Sequence, residues 1–205
     1  NCGIFLTTGT SNWAITGNRF FQTAPRSYTS SSSASMHGIS ISNTNGTGFL
    51  IKDNIIGYAN ASGTGTMSIS TSIGASFRGI VVSVGTVTPT VIQNNTIAGI
   101  NFSTTTTTTN NCNMIEVSSG SANVAGNTIG SQTLTNAITR LISSNGSIGV
   151  RGIYVTSSTP ANVALTDNTI GGFNLQGSNT SVGVGMYGID ASTTAGMTIT
   201  GNIIG

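Results

Sequence analysis

One short phrase returns six times along this chain, and it limits the possible folds more than any other feature. Its anchors are Asn18, Asn54, Asn95, Asn127, Asn168 and Asn202, spaced 36, 41, 32, 41 and 34 residues apart. Three residues before each anchor stand Ile15, Ile51, Ile92, Val124, Leu165 and Ile199; two residues after stand Phe20, Ile56, Ile97, Ile129, Ile170 and Ile204. Both positions are apolar in every copy. A repeat of this size is one supersecondary unit that cannot bury its own apolar face, so neighbouring copies have to stack on one another.

The residue before each anchor is Gly17, Asp53, Asn94, Gly126, Asp167 or Gly201. Gly, Asn and Asp best tolerate a left-handed backbone, so one strand should end and the next begin at this bend. Upstream runs a second series, Ile4, Ile39, Ile80, Ile115, Ile153 and Ile189. It is followed two residues later by Leu6, Ile41, Val82, Val117, Val155 and Ala191. Alternation with period two predicts a half-buried strand. Each unit then holds a G-I-x-V strand, a link, a V-x-I-T strand, the bend and an N-T-I-G strand, and a loop rich in Ser, Thr, Asn and Gly closes it. Stacking at the roughly 4.8 Å strand spacing predicts an all-β chain: a single right-handed parallel β-helix (β-solenoid) of about six coils, roughly 36 residues per coil and about 29 Å long. The anchor Asn residues should form an amide ladder along the stack.

Charge is scarce. Asp, Glu, Lys and Arg make up 5% of the 205 residues, against about a quarter in ordinary soluble domains. The six basic residues Arg19, Arg26, Lys52, Arg78, Arg140 and Arg151 are dispersed, whereas a nucleic-acid surface needs them clustered. No apolar run approaches the roughly 18 residues of a membrane span.

The N-T-I-G endings (NNTIAG, GNTIG and DNTIGG, with GNIIG and DNIIG beside them) and the R-G-I-x-V starts resemble the right-handed β-helix repeats of secreted Bacteroidetes surface proteins. The resemblance spans all six coils. It implies a segment of a long extracellular or cell-surface protein, exported by the type IX route. Wider β-helix proteins include polysaccharide-cleaving enzymes, so the fold by itself assigns no chemistry.

The candidates for chemistry are few. The acids are Asp53, Glu116, Asp167 and Asp190. Asp53 and Asp167 occupy the bend. Glu116 and Asp190 should point outward in one column, two coils or about 9.6 Å apart, with Tyr154 between them. That separation approaches the range of an inverting carboxylate pair, but Arg78 and Arg151 begin neighbouring strands, and an exposed ion-pair reading takes precedence. His37, the only histidine, shares the strand-start position of Arg78, Arg151 and Tyr187, without partners at metal-ligand spacing. Cys2 and Cys112 fall in coils one and four, too far apart for a disulfide, and are expected to be free thiols. Trp13 and Phe49 have the inward parity of Ile15 and Ile51. No catalytic, cofactor or metal residues are assigned.

These readings predict one solenoid domain over residues 1–205, acting as a non-catalytic structural or adhesive fibre segment. Its expected partners are further copies stacked end to end or flanking repeats of the same protein, together with surface glycans. Both end coils keep apolar residues in the regular columns, so capping repeats are not expected at either end. The alternative is a carbohydrate-binding or polysaccharide-cleaving β-helix. Ice binding is a third class, drawn from the outward Thr96, Thr128 and Thr169.

Overall fold

The computed structural model describes residues 2–29, 35–72, 75–105, 111–142, 149–158, 160–177 and 185–205. Its strands form four sheets, all paired in parallel and each taking at most one strand from every coil. The chain is a parallel β-solenoid of six coils.

The first sheet stacks Cys2–Leu6, Ser35–Asn43, Ser76–Val84, Cys112–Ser119, Val150–Val155 and Met186–Ala191. The second stacks Ala14–Thr16, Leu50–Lys52, Thr90–Gln93, Ala122–Ala125, Asn162–Thr166 and Gly196–Thr200. The third runs from Arg19–Phe20 through Ile55–Gly57, Thr96–Ala98, Thr128–Gly130 and Thr169–Gly171 to Ile203–Ile204. Register follows the repeat: Ile51 pairs with Ile15 and Ile92, and Ile97 with Ile56 and Ile129. Identical apolar side chains therefore lie above one another and close a continuous core. Burying each such side chain contributes roughly 1.5–3 kcal/mol.

The closing segment departs from the expected loop. It contains a fourth sheet, made of Arg26–Tyr28, Met67–Thr71, Ile100–Thr104, Ile138–Ile142 and Phe173–Gly177. Met67, Ile100 and Ile138 face inward there, and Ile69 and Phe102 form a second buried row. The threonine-rich run from Ser103 to Asn110, which the sequence places in this closing loop, gives Ser103 and Thr104 to this sheet, and residues 106–110 lie outside the described residues.

Trp13 corrects a second expectation. Phe49 is buried, but Trp13 is 54% exposed. Its carbonyl accepts from the Leu50 amide of coil two, yet it precedes its strand in the outermost coil, which is covered on one side only. Inward parity buries a side chain only where a neighbouring coil lies over it.

The recurring Gly before Ile in the first sheet has a steric cause. A Cβ on Gly79 would lie 2.5 Å from the Met114 carbonyl oxygen and 2.9 Å from Ile97 Cδ1. At Gly79 the strand comes this close to the third sheet across the coil, and the missing side chain leaves room for that Ile; in the fourth coil Met114 fills the equivalent position and is itself buried. Parity also slips at this point: Met36 faces inward, His37 outward, and Ile39 and Ile41 inward again. The strand is bent at the Gly, and the bend shapes the outer surface of the first sheet.

Candidate functional site

Two features concentrate the polar chemistry of the chain: the Asn ladder at the bends and the outer face of the first sheet.

At the bends, Asp53, Asn94 and Asp167 have φ of 56°, 54° and 54°, and Gly17, Gly126 and Gly201 have φ of 68°, 61° and 67°. This turn points each following Asn side chain along the stack. Asn18 donates through its backbone N–H (2.9 Å) and its Nδ2 (3.0 Å) to Asn54 Oδ1. Asn54 does the same to Asn95, Asn95 to Asn127, Asn127 to Asn168 and Asn168 to Asn202. Each later Asn also reaches back through Nδ2 to a carbonyl of the preceding coil; Asn127, for example, donates to Ile92 at 2.9 Å. Asn54, Asn95, Asn127 and Asn168 are completely buried. The ladder is directional, with the Oδ1 of each Asn from Asn54 to Asn202 turned toward the preceding coil.

On the first sheet, two outward columns flank the bend at the position that holds Gly in five coils and Met114 in the fourth. One reads Cys2, His37, Arg78, Asn113, Arg151 and Tyr187; the other reads Phe5, Ser40, Val81, Glu116, Tyr154 and Asp190. The bend turns the two columns toward each other, so residues three apart on one strand touch: Asn113 Nδ2 donates to Glu116 Oε2 at 2.7 Å. Arg78 Nε donates to the same oxygen at 2.6 Å, and Arg151 Nε donates to Asp190 Oδ2 at 2.5 Å. The Arg151 guanidinium also lies over the Tyr154 ring, 4.4 Å from its centroid, and 5.8 Å from that of Tyr187. Arg78 Nη1 contacts His37 Nε2 at 3.4 Å. Burial, and after it the charge of Arg78, hold His37 below its ordinary pKa, which leaves the ring neutral and able to accept from Arg78 at neutral pH.

The ion pairs expected here are present, but they are not exposed. Glu116 is only 7% accessible despite facing outward, because Asn113 and Arg78 of the neighbouring column close over its carboxylate. Glu116 and Asp190 stand two coils apart with Tyr154 between them in register. Each is held by its own Arg. Asn113, which the sequence did not single out, completes the Glu116 contacts. Among the described residues, no group of three or more His, Cys, Asp or Glu side chains is placed to hold a metal ion, and no helix is long and apolar enough to cross a membrane.

Both cysteines are free. Cys2 lies in the outward column and is exposed, whereas Cys112 faces the core in register with Phe77 and Val150. Burial pushes the Cys112 thiol from 9.0 up to about 11. A thiol-specific reagent is therefore expected to titrate one cysteine in the native protein and two after unfolding. Two fast-reacting native thiols would contradict the buried placement. Because the folded state holds this proton more tightly, the stabilisation from the neutral thiol is complete below pH 9 and is lost as pH rises through about 11.

Thr96, Thr128 and Thr169 do align in register on the third sheet, but Ile55 and Ile203 border the row. No family model, no curated protein and no solved structure matches the chain.

Proposed function

We propose that this chain is a non-catalytic structural segment of an extracellular or cell-surface fibre, in which β-helix coils continue beyond the six described here through flanking repeats or a second copy stacked end to end. The observation that carries this reading is the unbroken Asn ladder. It joins every coil to the next with the same polarity, so any further coil has a ready-made partner at either end. The outermost strands support it. Ile199, Ile203 and Ile204 are half exposed or more while still in register with the buried columns, and Phe5 and Trp13 are exposed at the other end. Parallel sheets give the two ends complementary hydrogen-bonding edges, the heterologous geometry that generates filaments. The acids support a non-catalytic role: Glu116 and Asp190 are tied to Arg78 and Arg151, and Asp53 and Asp167 serve the bend. The likeness of the N-T-I-G and R-G-I-x-V words to repeats of secreted Bacteroidetes surface proteins supports the extracellular placement and export by the type IX route.

Light scattering with electron microscopy of the 205-residue segment tests this reading. Rods that lengthen with concentration in steps of about 29 Å, one six-coil unit, are expected. A dispersed monomer whose end coils are both ordered and uncovered would overturn it.

Glycan binding is a second reading, favoured by one observation: Tyr187 is 45% exposed beside Tyr154 and Arg151 in the outer groove, an aromatic and cationic pairing on which sugar rings stack.

A further inference from the structure

Arg140 is the one charged side chain inside the solenoid among the described residues. On the fourth sheet it stands in register between Phe102 and Leu175, and its strand neighbours Ile138 and Ile142 face inward with it. It is completely buried. Its guanidinium carbon lies 4.2 Å from the centroid of the Phe102 ring, and Nη1 donates to the Phe102 carbonyl at 3.2 Å. Nε and Nη2 are buried and have no hydrogen-bond partner. Cys112 belongs to the same coil and borders the same aromatic layer: it is in register with Phe77, whose ring centroid lies 6.2 Å from that of Phe102.

A guanidinium keeps its proton throughout the range in which proteins fold, so it cannot shed its charge on burial as a lysine does. A buried cation without a counter-charge is among the most unfavourable arrangements a core can contain. None of the four acids supplies that charge. Glu116 and Asp190 are engaged by other arginines on the outer face, and Asp53 and Asp167 sit at exposed bends. The Cys112 thiol stays neutral, since burial holds it near 11.

We propose that Arg140 holds a small monovalent anion of the halide class inside the solenoid, bound by the Nε and Nη2 N–H groups beside the Cys112 thiol. A halide suits the site because it carries a single charge, which one arginine neutralises, and brings no donors that the apolar surroundings of Phe102, Ile138 and Ile142 would leave unpaired. The anion belongs to the folded state and is released on unfolding.

The test is equilibrium unfolding at constant ionic strength, with chloride replacing gluconate. The folding equilibrium constant of the wild type should rise about tenfold for each tenfold increase in chloride above the dissociation constant. The Arg140→Met variant, of similar length and without charge, should lose that dependence. A wild type indifferent to chloride, or a variant with the same dependence, would overturn the proposal. Anomalous diffraction from wild-type crystals grown in bromide gives a readout that does not require the variant to fold. A peak within hydrogen-bond reach of Nε and Nη2 is expected, and a water or carbonyl there with no halide would contradict the site.

Discussion

Gly57→Ala is expected to destabilise the solenoid by more than about 4 kcal/mol, while Gly17→Ala costs only about 1 kcal/mol. Both glycines have positive φ, 117° at Gly57 and 68° at Gly17, so both substitutions strain the backbone. They differ in what the new methyl group meets. A Cβ on Gly57 would lie 1.8 Å from the carbonyl oxygen of Ala98, its register partner in the next coil, whereas a Cβ on Gly17 meets nothing within 4 Å. The obstacle at Gly57 is backbone, which cannot rotate away, so two coils must separate locally or the strand must shift. Urea unfolding of the two variants checks the difference, and equal losses would show that the coils are not packed at this spacing.

Asn127→Ala should cost about 3 kcal/mol, against about 1 kcal/mol or less for Asn18→Ala. Removing the Asn127 side chain takes away the acceptor of both the Asn95 amide and Asn95 Nδ2, and it leaves the Ile92 carbonyl without its side-chain donor. The Asn95 amide would then be a buried N–H with no partner. Within the six described coils Asn18 accepts from no other Asn, and its Nδ2 also serves the nearby Thr16 carbonyl, where the site is exposed. The same chemical change thus has a large effect where a neighbouring Asn donates to the side chain and a small one at Asn18 of the dispersed six-coil segment. Asn127→Asp should be at least as damaging as the Ala variant, because a carboxylate oxygen would replace the donor that faces Asn168 Oδ1.

The three sheets that the sequence announced are those whose strands carry the same word in every coil. Their columns of Ile and Val, the bend and the anchor Asn are all dictated by contact with an identical neighbour, so the packing writes itself into the sequence as repetition. The fourth sheet obeys the same stacking without a shared word: RSY, MSIST, INFST, ITRLI and FNLQG have only their alternation in common. Its inward positions include Thr71, Thr104 and Arg140, and these break the apolar columns by which a strand is recognised. The inward setting of Arg140 left one trace, the Ile138 and Ile142 two residues to either side. Gly57 shows a different limit, since the third coil places Ala98 at the equivalent position without positive φ; composition at that column conceals which copy needs glycine. In the outer groove, the pairing of Arg78 with Glu116 and of Arg151 with Asp190 could be read from strand parity. The burial of Glu116 and the contribution of Asn113 could not, because both depend on the slip of parity before Ile115, at a position that Met114 fills in this strand, which alternation along a straight strand does not reveal.

The measurement that tests the stacked, directional ladder most directly is site-resolved amide hydrogen exchange of the wild type and Asn127→Ala. In the wild type, the amides of Asn54, Asn95, Asn127 and Asn168, all donating to a side chain of the following coil, should exchange as slowly as the strand amides beside them. In the variant, the Asn95 amide should lose protection selectively, while that of Asn168, whose acceptor is Asn202, keeps it. Fast exchange at these amides in the wild type, or loss of protection spread equally to both sides of residue 127, would contradict the account.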